Sequence, residues 1–287
     1  MPPAAYARPT ALDEALDALR AGGRDSGPWV IVAGATDHYP ARVGRAPVED
    51  VLDISAIAGL RGVAAVDGGW RIGAMTTWTD LVEADLPPLF DGLRAAALAV
   101  GGAQIQARAT IAGNVCNASP AADGTPNLLA LDATVELAST RGSRQVPIGE
   151  FVTGNRRTTR AAHELVTGLF VPSPIAGATV RSAFEKLGSR AYLVISIAMV
   201  GAVVEIDADG RIARARVAVG ACSEVAQRLP ALEAELAGLP ANASAAAIVR
   251  PHHVSDLSPI DDVRGSADYR RDAAVTVIRR ALERALA

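Results

Sequence analysis

A compact apolar run, Trp29-Val30-Ile31-Val32-Ala33, leads straight into Gly34-Ala35-Thr36-Asp37, and this join constrains the chain more than any other segment. β-Branched residues suit an extended strand. The small residues after it allow a tight turn in which successive backbone N–H groups point at one place. A second string, Thr110-Ile111-Ala112-Gly113-Asn114, has the same make-up, a small-residue centre flanked by hydroxyl and amide side chains. Small residues let backbone amides approach a phosphate closely, and Thr and Asn add side-chain hydrogen bonds. Two such loops brought together would hold both phosphates of a dinucleotide. Either loop alone reads equally well as an ordinary tight turn between strand and helix. Neither has the Gly-x-Gly-x-x-Gly of a Rossmann turn or the Gly-Lys-Ser/Thr of a P-loop.

The surrounding pattern is α+β. Residues 12–20 have helical spacing, with Thr10 upstream and Asp13 and Glu14 in the first turn, where negative charge suits the helix dipole. Residues 51–54 and 70–72 are further strands, and Thr77 or Thr79 can cap a helix that follows. Residues 134–138 form a strand, and Pro172 and Pro174 end the middle region, so a boundary is expected near residue 174. Beyond it, residues 195–206 and 212–219 are β-rich and separated by Asp207-Ala208-Asp209-Gly210, a good hairpin turn. Residues 272–285 place Val275, Ile278 and Leu282 on one helical face.

Composition excludes several classes. The 287 residues are 50% apolar with a formal charge of −3, which argues against a nucleic-acid surface. Aromatic residues make up 4%, too few for base-stacking platforms. The longest apolar run, residues 192–204, is shorter than the ~20 residues a membrane span needs. No secretory signal is visible at a start that has prolines early. Cys116 and Cys222 cannot make a four-cysteine cluster site alone, and a reducing, cytoplasmic setting is the simplest reading.

The strings VAGATD at 32–37, IGAMTTWTDL at 72–81, TIAGNVCNASPAADGTPNLLALDA at 110–133 and FEKLGSR at 184–190 are the specific signal. With SPIDDVRGSADYRRDAAVTVIRRAL at 258–282, they resemble, in order and spacing, the FAD-binding medium subunit of the xanthine dehydrogenase and carbon monoxide dehydrogenase family. The resemblance implies an α+β fold. A two-part FAD-binding domain of the vanillyl-alcohol-oxidase/PCMH type would occupy 1–174, with subdomains at about 1–55 and 56–174. A C-terminal α+β domain with a small antiparallel sheet, 175–287, would close over the flavin. It implies FAD as cofactor, and a cytoplasmic heterotrimer in which electrons come from a [2Fe–2S] small subunit and substrate is oxidised on a molybdopterin large subunit. NAD, oxygen or a quinone would be the acceptor.

Carried over residue by residue, cofactor contacts fall on Val30, Ile31, Val32, Ala33, Gly34, Ala35, Thr36 and Asp37, and on Thr110, Ile111, Ala112, Gly113 and Asn114. Asp123 falls at an acid that binds the ribose region, Lys186 at a lysine that reaches the flavin, and Val100 and Val166 at apolar wall positions. Ala35 and Ala112 stand where the family has glycines, so either one at positive φ would carry strain of ~1 kcal/mol. Two other readings stay open: a standalone flavin oxidoreductase on the same fold, and a non-catalytic flavin-binding or assembly protein.

Other candidates carry less. Adjacent His252 and His253 would point apart, which disfavours shared metal ligation. His38 reads as a solvated loop residue, Cys116 as a small packed one, and Tyr192 as a flavin-stacking residue or the edge of a core strand. Arg156, Arg157 and Arg160 read as a solvated run or a contact for an acidic partner.

Overall fold

The computed structural model describes residues 4–44 and 48–287; Pro2 and Pro3, which weighed against a leader, lie outside the described residues. Strand β1 (Tyr6–Ala7), helix α1 (Leu12–Ala21), β2 (Val30–Val32) and β3 (Val51–Asp53) form a small layer, with the strands parallel in the order β1-β3-β2. Glu14 organises the start of α1 by accepting the N–H groups of Thr10 and Ala11 at 2.9 and 3.2 Å. The buried face of α1, Ala15, Leu16 and Leu19, packs with Leu52 and Ile54. This layer holds the first loop at the end of β2.

The next stretch runs β4 (Val63–Val66), β5 (Gly69–Gly73), α2 (Trp78–Glu83), α3 (Asp91–Ala99), α4 (Ala103–Gln106), α5 (Ile111–Asn117) and α6 (Gly124–Ala130). It continues through β6 (Thr134–Ser139), β7 (Gly142–Pro147), α7 (Ile148–Phe151), β8 (Val152–Gly154), β9 (Arg157–Thr158) and β10 (Leu165–Pro172). Five strands make an antiparallel sheet in the order β4-β5-β10-β6-β7. Of the two candidate caps, Thr77 is the one used: its Oγ1 accepts the Asp80 N–H at 3.1 Å, and Asp80 accepts the Thr77 N–H at 2.9 Å. Trp78, Phe90, Ile111 and Leu128 are fully buried in one core with Ile72, Val135 and Leu169 of the sheet. Each such side chain contributes roughly 1.5–3 kcal/mol by leaving water.

The second predicted loop is a helix start instead. Thr110 caps α5, its Oγ1 accepting the Gly113 N–H at 3.0 Å, and Ile111, Ala112 and Val115 face the core. A capping threonine and apolar residues at helical spacing outweigh the small-residue look of the string.

The last third holds β11 (Thr179–Leu187), β12 (Ala198–Ile206), β13 (Ile212–Gly220), β14 (Gln227–Arg228), α8 (Pro230–Leu236) and α9 (Ala267–Leu286), with the strands antiparallel in chain order. Residues 207–210 turn between β12 and β13 as expected, with Gly210 at φ 72°. Helix α9 starts earlier than residue 272 because Ser266 Oγ accepts the Tyr269 N–H at 3.2 Å. Period-two alternation sends Val200, Ala202 and Val204 of β12 towards α9 and Val203 towards α6. Gly201 lets α6 close on the strand: a Cβ there would lie 2.8 Å from Asn127 Cα.

Helix α6 is gripped at its C-terminal end by the last third of the chain. Arg216 Nε donates to the Ala130 carbonyl at 2.5 Å, and Arg228 Nη1 donates to the Leu129 carbonyl at 3.1 Å, which also accepts the Asp132 N–H. Glu205, fully buried, holds Arg216 at 2.7 Å and Arg214 at 2.6 Å. Among the described residues, no helix is long and apolar enough to cross a membrane.

Candidate cofactor site

A cleft of about 680 Å³ opens between the first loop and α5, within the usual range for small-molecule sites. Residues 30–37, Val100, Thr110, Ala112, Gly113, Asn114 and Val166 line it. Ile111 does not: it faces the core, fully buried behind the cap of α5. Neither Asp123 nor Lys186 is part of the lining.

The first loop is built to receive an anion. The backbone N–H groups of Gly34, Ala35, Thr36, Asp37 and His38 donate to no acceptor among the described residues, and such unpaired amides can converge on an anion. Gly34 permits the loop to meet the segment before α5, because a Cβ there would sit 1.8 Å from the Arg108 carbonyl oxygen. Ala35 has φ 57°, the strained state anticipated for it. Ala112 lies inside α5 without positive φ, so its replacement of glycine is unstrained. A Cβ on Gly113 would meet Thr110 Oγ1 at 2.6 Å, so this glycine first of all protects the cap.

Among the described residues, the wall carries three guanidiniums, Arg42, Arg156 and Arg160, against one carboxylate, Asp37. Arg156 Nη1 donates to Asp37 Oδ2 at 2.8 Å, and this bond holds the Asp37 carboxyl below its ordinary range. Burial and neighbouring Arg42 lower the pKa of His38, which favours its neutral form. Cys116 opens onto the cleft, and burial among protein atoms pushes its thiol up to about 11. His38, Cys116, Arg156 and Arg160 thus belong to the cleft wall, where the sequence had suggested solvated or packed roles. Contacts far apart in the chain, such as Arg156 with Asp37, leave no local signal.

Residues 2–174 match the family described as the FAD binding domain in molybdopterin dehydrogenase, and residues 182–285 the CO dehydrogenase flavoprotein C-terminal domain. The xanthine dehydrogenase FAD-binding subunit of Escherichia coli O157:H7 is 30% identical over 99% of this chain and 96% of its own length. The nicotine 6-hydroxylase medium subunit of Paenarthrobacter nicotinovorans is 30% identical over 98% of this chain and 97% of its own. Among solved structures, a chain of reconstituted CO dehydrogenase from Oligotropha carboxidovorans superposes with a TM-score of 0.88 at 27% identity, covering 100% of this chain and 99% of that one. The chain belongs to the FAD-binding subunits of the molybdenum hydroxylases. It is an oxidoreductase subunit, and its cofactor is FAD.

The cleft fits that cofactor. Five unbonded amides beside an excess of guanidiniums suit a diphosphate, and Val100, Ile105 and Val166 supply apolar wall for flat rings. In this flavoprotein subunit, Asp123 and Lys186 pair with each other: Lys186 Nζ lies 2.6 Å from Asp123 Oδ2, and the Ser196 hydroxyl donates to Oδ1 at 2.6 Å. Burial pushes the Asp123 pKa up, and Lys186 opposes that push. Tyr192 is 68% exposed on the loop before β12, which removes the core-edge reading for it.

A histidine pair lies elsewhere. His252 and His253 do not point apart; their ring centroids are 4.0 Å apart and both approach Glu235. The Arg250 N–H donates to His253 Nδ1 at 3.0 Å. A neutral imidazole accepting there carries its proton on Nε2, the nitrogen that faces Glu235 at 3.3 Å. That nitrogen has no lone pair for a metal.

Proposed function

We propose that this subunit relays electrons, receiving them from [2Fe–2S] clusters of a small partner subunit and passing them to an external acceptor such as NAD, oxygen or a quinone. Substrate would be oxidised at the molybdopterin cofactor of a large subunit, and the three chains would work as a cytoplasmic complex. FAD, when bound, supplies the capacity to take up and release electrons. The residues of this chain hold it: the first loop and the start of α5 on the diphosphate, with Val100 and Val166 as walls. The Asp123–Lys186 pair would set the position of the flavin end. Residues 1–174 would bind the cofactor and residues 175–287 would close over it.

The observation that carries this reading is the donor set. The two cysteines are far apart in the fold, Cys116 on the cleft and Cys222 fully buried in the core beneath α9, so they cannot ligate a cluster together. In the cleft wall, Asp37 is tied to Arg156, which leaves His38 and the Cys116 thiol as the other described titratable groups there besides the arginines. An electron source on a partner chain accords with this donor set.

Anaerobic stopped-flow at the flavin band tests this. The isolated subunit should not bleach with a purine, an aldehyde or a heteroaromatic acid. Adding the iron–sulfur and molybdenum subunits should restore substrate-dependent bleaching. Rapid bleaching of the isolated chain would instead make it a self-contained flavoenzyme.

A further inference from the structure

The hairpin of β8 and β9 turns at Arg156, and the backbone there is held in a costly state. Arg156 has φ 58°, Ala118 at the end of α5 has φ 48°, and the Arg156 N–H donates to the Ala118 carbonyl at 2.9 Å. Left-handed backbone at residues other than glycine persists only where the surroundings fix it. The effect is to aim two adjacent arginines in opposite directions. Arg157 turns to Glu224 at 3.0 Å, while Arg156 turns to the mouth of the cleft and bonds Asp37 and Asn117.

The other described guanidiniums of the wall are taken up by other acceptors, although Arg42 also donates to the His38 carbonyl at 2.9 Å. Arg42 grips Glu49 at 2.6 and 2.8 Å, and Arg160 donates to the carbonyls of Ala161 and Glu164. Arg156 alone among them pairs with a carboxylate on the amide cradle itself. That pairing answers an electrostatic difficulty, since a diphosphate settling on the N–H groups of residues 34–38 would meet the charged Asp37 side chain. A guanidinium has five N–H donors in a planar fork. Arg156 directs Nη1 at Asp37 and Asn117 and Nη2 at Asp37 Oδ1 at 3.5 Å, and its Nε has no partner among the described residues.

We propose that Arg156 is a further cofactor-binding residue whose guanidinium bridges the Asp37 carboxylate and the FAD diphosphate, neutralising the first and clamping the second. The proposal rests on FAD as the ligand of this cleft, and not on where its electrons come from.

The test is equilibrium titration of FAD-depleted protein, purified with the subunits that accompany it, using FAD and, separately, riboflavin, which has no phosphates. Arg156→Gly is the side-chain deletion of choice because its φ suits glycine. It should weaken FAD about tenfold or more, the scale of a hydrogen bond to a charged group, and leave riboflavin unchanged. Arg156→Lys should recover part of the loss, and Asp37→Ala should leave FAD binding as tight or make it tighter. Equal losses for FAD and riboflavin in both Arg156→Gly and Asp37→Ala would show a mere strap between loop and hairpin and overturn the proposal. So would an Arg156→Gly protein that binds FAD normally. A wild-type protein that takes up neither ligand would sink the cofactor assignment and this proposal with it.

Discussion

Lys186 Nζ donates to Asp123 Oδ2 across 2.6 Å, with both side chains nearly closed to solvent, and so fastens β11 to the residue that opens α6. Removing one member of a buried pair strands the other charge. Lys186→Met should therefore destabilise the fold by about 3 kcal/mol, and Lys186→Met with Asp123→Asn should restore most of it. Urea denaturation of the three proteins checks this. Burial raises the Asp123 pKa, so the single variant should regain stability as the pH falls and the carboxyl takes a proton. A single variant as stable as wild type at pH 7 would mean that the pair contributes nothing to folding.

The two alanines in glycine positions should respond with opposite signs. Ala35→Gly removes strain at φ 57°, offset in part by the greater freedom of glycine in the unfolded chain, for a gain of up to ~1 kcal/mol. Ala112→Gly places glycine inside α5 and should lose ~1 kcal/mol. Shifts of the same sign in thermal melts would contradict the backbone assignment.

The glycines of the two strings should separate just as clearly. Gly34→Ala would drive a Cβ to 1.8 Å from the Arg108 backbone oxygen and force the loop away from α5, whereas Gly113→Ala meets only the Thr110 hydroxyl at 2.6 Å. FAD titration should show a loss at least about tenfold larger for Gly34→Ala, a difference of ~1.4 kcal/mol. A larger loss at Gly113 would make the start of α5, and not the first loop, the main contact of the diphosphate.

Acid sensitivity has an identifiable contributor in Glu164. Hydrogen bonds from Arg144 and the Ala161 N–H hold its carboxyl down at about 2, against an ordinary 4.5. A depressed folded-state pKa gives stability that is full above the unfolded value and lost as pH falls towards the folded one. Glu164→Gln should be less stable than wild type at pH 7, with the gap narrowing below about pH 4.5 and closing near pH 2. Denaturant midpoints across that range measure it; a gap independent of pH would rule out the charge as its origin.

What could be read from the residues was whatever the local pattern decides. The strand entering Gly34, the turn at Gly210 and the face of α9 carrying Val275 and Ile278 all follow from neighbours a few positions apart. The string at Thr110 looks like a loop because a capped helix start and a tight turn share the same small and hydroxyl residues, and only the Thr110–Gly113 bond tells them apart. Arg156 escaped because positive φ at an arginine is invisible in a residue string, and its partner Asp37 comes from the far side of the cleft. The Asp123–Lys186 bond escaped for the same reason, although resemblance brought both residues to notice.

The grip on α6 also bears on dissection. Severing the chain between β10 and β11 would uncover the carbonyl of Ala130, remove the Arg228 bond to that of Leu129, deprive Asp123 of its counter-ion, and bare the surface of α6 that Gly201 now meets. Neither fragment would inherit a finished surface, so truncation at that linker should yield an insoluble first piece, with co-expression of both halves as the remedy.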